Sequence, residues 1–220
     1  MDIREQLLQG GIIAIFRRLY GEELLRVCDA LYAGGIRVME VTFDQSDSQS
    51  ITLTMQAITA LCRQHSDLTV GAGTVLTPEQ LIAARNAGAA YMVAPNVNPT
   101  VIAKAKDLGM AAIPGAMTPT EVVNAWQAGA DLVKLFPAGY LGVDYVRHLH
   151  APLGHIPLVA NAGITADNLA DFLQAGCVGA GISTPLSDRK CIAAGDYDTL
   201  TARAAALVHI FEEHKHRSFI

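Results

Sequence analysis

The sequence is poor in aromatic residues (6%) and in charged ones (17%). With so few aromatics and a formal net charge of −5, it offers neither a base-stacking surface nor a basic field, which argues against nucleic acid as a partner. Charged residues usually make up about a quarter of a globular chain, so their scarcity points to a large core. The four cysteines, Cys28, Cys62, Cys177 and Cys191, form no C-x-x-C pair and read as reduced, mostly buried thiols. No apolar run reaches the roughly 18 residues that a bilayer requires. The opening stretch MDIREQLLQGG is too charged for a signal or an anchor. A soluble, cytoplasmic protein without a membrane partner is expected.

What is present is a repeated theme. Short β-rich apolar runs alternate with segments of helical period. Strands are expected near Ile12 to Phe16, Arg37 to Thr42, Thr69 to Ala72, Tyr91 to Ala94, Ala111 to Pro114, Asp131 to Phe136, Leu158 to Ala160 and Gly179 to Ile182. The helical segments between them include TPEQLIAARNAGA, TPTEVVNAWQAGA and TADNLADFLQAGC, which open on Thr and end at Gly. The closing phrase recurs as AGG at 33–35, AGA at 87–89 and 128–130, and AGC at 175–177. Eight strand–helix units of about 25 residues fit a (β/α)8 TIM barrel. The N-terminal DIREQLLQGG would form an extra helix closing the barrel bottom. An open doubly wound sheet fits less well, because no G-x-G-x-x-G opens a first helix. With no linker or break in composition, residues 1–220 read as a single domain.

Two charges interrupt apolar strands. Lys134 stands in DLVKLFPAGY and Glu40 in VMEVTF, each near a strand's C-terminal end, where barrels place functional groups. An inward lysine there would be desolvated toward the neutral amine that attacks a carbonyl. An outward lysine whose ammonium snorkels past the helices fits the position equally. A buried Glu40 could move protons, or it could be half of a structural ion pair. The loops GAGTV (71–75), NAGIT (161–165) and GAGIST (179–184) follow strands three, seven and eight. Glycine-rich turns at those places expose N–H groups to phosphate or carboxylate. The histidines fall mainly at 148–155 and near the C-terminus, with no metal-ligand pattern, and HLHAPLGH reads as an exposed helix end and loop.

Taken in order, VMEVTF, GAGTVL, VAPN, IPGAMTPTE, VKLFPA, NAGIT and AGDYD resemble the 2-keto-3-deoxy-6-phosphogluconate / 4-hydroxy-2-oxoglutarate aldolase family, from about Ile12 to Val208. The resemblance implies a class I aldolase, without metal or other cofactor, acting as a homotrimer of TIM barrels. The expected substrate is a small 2-keto-3-deoxy-6-phospho sugar acid, cleaved to pyruvate and glyceraldehyde 3-phosphate. Residue by residue, Lys134 matches the Schiff-base lysine and Glu40 the general acid/base. Thr74 matches a threonine holding the pyruvate carboxylate, and Pro95 and Phe136 wall the pocket. Arg17 lies near the ligand, and the loops of Gly163, Gly181 and Ser183 correspond to those that bind phosphate. Two departures bear on the aldehyde portion. Asp44 stands where many members have arginine, and Asn161 and Ala162 replace Thr and Gly. Alternatives are an aldolase for 4-hydroxy-2-oxoglutarate or an unphosphorylated keto acid, a non-imine sugar-phosphate isomerase or synthase barrel, and a non-catalytic sensor.

Overall fold

The apolar runs form nine parallel strands: β1 (Ile12–Phe16), β2 (Val38–Thr42), β3 (Thr69–Gly73), β4 (Tyr91–Val93), β5 (Ala111–Ile113), β6 (Gly115–Ala116), β7 (Val133–Leu135), β8 (Leu158–Asn161) and β9 (Cys177–Ile182). They belong to one sheet in the order β5-β4-β3-β2-β1-β9-β8-β7-β6. The structure is a computed structural model that describes residues 2–215. β5 and β6 are two halves of one barrel strand divided at Pro114, which has no N–H to give the ladder. The first half pairs with β4 and the second with β7, and Lys134 N–H donates to the Pro114 carbonyl at 2.9 Å. That split strand closes the (β/α)8 barrel. β7 is shorter than the run 131–136 suggested, because Asp131 already turns to accept from Lys106 and from Ala112 N–H.

The helices are α1 (Ile3–Gly10), α2 (Gly21–Ala33), α3 (Ser50–Gln64), α4 (Pro78–Asn86), α5 (Pro99–Asp107), α6 (Pro119–Gln127), α7 (Ala138–Leu141), α8 (Val143–Leu153), α9 (Leu169–Gln174), α10 (Arg189–Ala194) and α11 (Tyr197–His214). Thr77, Asn98 and Thr118 cap α4, α5 and α6, each followed by a proline in the first turn, where the missing N–H costs nothing. The recurrent joints before the strands hold glycine in the left-handed region: φ is +105° at Gly88 and +115° at Gly176. At Gly176 a Cβ would also meet the His150 ring at 2.4 Å. The HLHAPLGH stretch is largely exposed, with α8 running on through Pro152 to Leu153. His216 lies outside the described residues.

Strand alternation sorts the core into two clusters. Ile13, Val38, Tyr91, Val93, Ala111, Ile113, Leu132 and Val159 fill the barrel interior, and Leu7 of α1 joins them from below. The other cluster packs the outward faces of the strands against the helices. Among the described residues no helix is long and apolar enough to cross a membrane.

Candidate active site

Side chains in a strand return to the same face every second residue. One step beyond the interior layer therefore lie Ile15 after Ile13, Glu40 after Val38, Pro95 after Val93, Lys134 after Leu132 and Asn161 after Val159. The ladder registers agree: Ile15 stands beside Glu40, and Gly115 beside Lys134. Lys134 thus points into the barrel, toward the ends of the strands, and the outward reading is removed. It is 6% exposed, and Glu40 is 2% exposed. Phe136, just past the end of β7, presents its ring 5.0 Å from the Lys134 amine.

Burial disfavours charge on both groups. It pulls the Lys134 pKa below its ordinary value; Glu40 works against that shift and Arg17 adds to it. Burial pushes the Glu40 pKa up, and Lys134 and Arg17 draw it back. Among the ion pairs of the described residues neither group is matched with a partner within 4 Å, so the structural-pair reading of Glu40 has no geometry behind it. Glu40 fits because β3 carries glycine beside its carboxyl, at Gly73, the ladder partner of Thr42. A Cβ on Gly73 would lie 2.4 Å from Glu40 Oε1.

A cavity of about 620 Å³ opens above Lys134. Arg17, Phe136, Asn161, Gly163, Gly181 and Ser183 line it, so most of the residues singled out in the sequence converge there. Asn161 is 4% exposed and sits against Gly181, where a Cβ would meet its Oδ1 at 2.4 Å. Ala162 has φ +70° ahead of Gly163 at +77°, two consecutive left-handed residues that turn the chain sharply. Gly139 N–H donates to the Ala162 carbonyl at 2.8 Å and pins that turn to α7. The Ser183 hydroxyl donates to the Ile15 carbonyl at 3.3 Å.

Three expected residues lie off this cavity's wall. Glu40 sits deeper in the barrel. Pro95 lines a neighbouring cavity of about 570 Å³, and Phe136 forms part of both walls. Thr74 follows β3 with φ +57°, a strained setting for a β-branched residue. Its carbonyl accepts from Gln45 Nε2 at 2.9 Å, and Gln80 Nε2 donates in turn to Gln45 Oε1 at 2.9 Å. Asp44, the departure after β2, is held by Arg18, Ser46 and Ser50. Arg18 foremost, with Ser46, keeps the Asp44 pKa below the usual carboxylate range.

Thr165 of the NAGIT loop lines the cavity too, which has further walls that the sequence did not disclose: Tyr140 on α7, Asp188 and Arg203. Arg203 comes from α11, where an isolated arginine in TARAAAL looks like part of a solvated face.

The family model described as KDPG and KHG aldolase matches residues 3–203. A 2-dehydro-3-deoxy-6-phosphogalactonate aldolase of Escherichia coli (strain K12) is 35% identical, covering 92% of this chain and 95% of its own. A 2-dehydro-3-deoxy-phosphogluconate aldolase of Treponema pallidum (strain Nichols) is 36% identical, covering 96% and 98%. A solved structure described as native KDPGal superposes with a TM-score of 0.82 at 33% identity, covering 93% of this chain and 96% of its own.

Proposed function

The chain belongs to the KDPG and KHG aldolase family and is a class I aldolase, an aldehyde-lyase; from that premise we propose that it cleaves a 2-keto-3-deoxy-6-phospho sugar acid to pyruvate and glyceraldehyde 3-phosphate. The observation that carries this reading is Lys134, buried, drawn toward its neutral form and open to a cavity that ends in backbone-rich turns.

Neutral Lys134 adds to the C2 ketone, and loss of water gives a protonated imine. That cation draws electrons from the C3–C4 bond. Glu40 as carboxylate, directly or through one water, takes the proton of the C4 hydroxyl; the C3–C4 bond breaks and the aldehyde departs. The enamine left on Lys134 takes a proton at C3 from the same carboxyl. Water then adds to the imine, releasing pyruvate and the amine. No metal or other cofactor is required, because the protonated imine is the electron sink.

Thr74 holds the pyruvate carboxylate, with the Gln45–Gln80 relay fixing its backbone. Phe136 and Pro95 wall the pyruvate methylene and exclude water. The amide of Asn161, almost wholly buried yet lining the cavity, faces the hydroxyl-bearing middle of the substrate. The turns at Gly163 and Gly181 and the rotatable Ser183 hydroxyl receive the phosphate, and Arg17 adds charge. The enzyme is a cytoplasmic homotrimer, each chain folding as one barrel domain.

The test is pyruvate release from matched phosphorylated and unphosphorylated 2-keto-3-deoxy acids. A phosphate contacted by charged or N–H donors should raise kcat/KM at least tenfold, since each such bond contributes about 1.5 to 3 kcal/mol. Equal efficiency on both would reject the phosphate and favour 4-hydroxy-2-oxoglutarate.

A further inference from the structure

Asp188 poses a charge problem. It is the one carboxylate among the residues lining the cavity, and it lies in the same loop as Ser183, where a phosphate dianion is to sit. Both of its oxygens are engaged. Oδ1 accepts from Lys190 N–H at 2.9 Å, capping α10, and Oδ2 accepts from Arg203 Nη1 at 3.1 Å. The Lys190 N–H first, and then Arg203, hold its pKa below the ordinary value, so the carboxylate stays ionised at neutral pH.

Arg203 reaches this loop from the first half of α11, which packs beside α10. Its Nη1 also donates to the Pro185 carbonyl at 3.2 Å. The Nε and Nη2 groups have no partner among the described residues, although the side chain lines the cavity. Three cations share that wall: Lys134, Arg17 and Arg203. Lys134 is committed to the imine, and Arg17 lies close enough to Lys134 and Glu40 to affect both their titrations. Arg17 is also without a side-chain partner among the described residues, but its charge reaches the Lys134–Glu40 pair; Arg203 is tied to the Ser183–Asp188 loop itself and keeps one guanidinium edge uncommitted, the geometry that suits a phosphate fork.

We propose that Arg203 is a specificity-determining residue, binding the distal phosphate through its Nε and Nη2 groups while Nη1 offsets the charge of Asp188. The inference rests on the reading of this cavity as a site for a phosphorylated keto acid.

The experiment measures the ratio of kcat/KM for a 2-keto-3-deoxy-6-phospho sugar acid to that for its unphosphorylated counterpart. It compares wild type with Arg203→Gln, Arg203→Lys, Asp188→Asn and the double variant Arg203→Gln/Asp188→Asn. Glutamine can still donate to the Pro185 carbonyl, and asparagine still caps a helix, so the loop keeps its supports. Arg203→Gln should lower the ratio by roughly 10- to 100-fold, the size of a lost charge-assisted bond, mainly through KM of the phosphorylated substrate. Arg203→Lys should restore part of it, and adding Asp188→Asn should not restore it fully. An unchanged ratio, or equal loss on both substrates, would overturn the proposal by leaving Arg203 only a structural role. Full rescue by Asp188→Asn would overturn it too, since Arg203 would then act on Asp188 alone. A wild-type ratio near one would instead bring down the phosphate reading, and this inference with it.

Discussion

Gly73 and Glu40 stand so close across β2 and β3 that a Cβ on Gly73 would lie 2.4 Å from Glu40 Oε1 and 2.8 Å from the Thr42 methyl. Backbone in β3 thus shapes the slot that holds the carboxyl under the cavity. Gly73→Ala should push Glu40 aside and lower kcat by about 10²-fold, the lower range for general acid–base catalysis. Imine formation with pyruvate should persist, because Lys134 comes from the opposite side of the sheet order. Steady-state kinetics together with borohydride trapping check this; unchanged kcat would remove the slot from the mechanism.

The Lys134 amine, lowered by burial, should form its imine with a pH midpoint below the ordinary 10.5. Arg17→Ala removes a charge that disfavours the ammonium, so the midpoint should move up. Glu40→Gln removes one that favours it, so the midpoint should move down. The rate of pyruvate-dependent inactivation, followed against pH in the three proteins, reads both shifts. Shifts of the opposite sign would contradict the roles of Arg17 and Glu40 in setting the Lys134 charge.

Glu40 also bears on stability. Its folded pKa is raised, so folding carries no ionisation cost while both states are protonated, below about the ordinary 4.5. As pH rises through and above that value, the unfolded chain ionises first and wild type loses stability until the folded pKa is passed. Glu40→Gln should therefore match wild type in Tm at low pH and exceed it increasingly toward neutral pH. Differential scanning calorimetry from pH 4 to 8 decides; a gap that narrows as pH rises would refute the raised pKa.

Arg17 lines the cavity while its carbonyl is held by Arg189 at 3.0 Å. Asp44 is taken by Arg18 and does not tether Arg17. If Arg17 serves the phosphate, Arg17→Ala should lower kcat/KM at least tenfold on phosphorylated substrates and much less on others. Equal loss on every keto acid would place Arg17 at the pyruvate carboxylate instead.

Much of the barrel and its site is legible in the sequence alone. The Thr-Pro helix starts, the glycine joints and the β-rich runs define the barrel, and Lys134 and Glu40 stand out as charges in apolar strands. Their direction is not legible, since a lysine near a strand end can turn either way; the parity with Leu132 and Val38 in the interior layer decides it. Pro114 marks the break in the fifth strand, but the resumption beyond it at β6, paired with β7, is not encoded locally. Thr74 gives no sign of its left-handed backbone, because the Gln45 and Gln80 that hold it come from other segments. Arg203 and Asp188 are hidden for the same reason: their meaning lies in a cavity assembled by β9, α10 and α11.

Lys134 should carry the covalent intermediate. Incubation with pyruvate and borohydride, followed by peptide mass mapping, tests it most directly. Wild type should lose activity and carry a stable mass increment on the peptide containing Lys134, and Lys134→Ala should show no increment. An increment on Lys104, Lys106, Lys190 or Lys215, or full activity in Lys134→Ala, would contradict it.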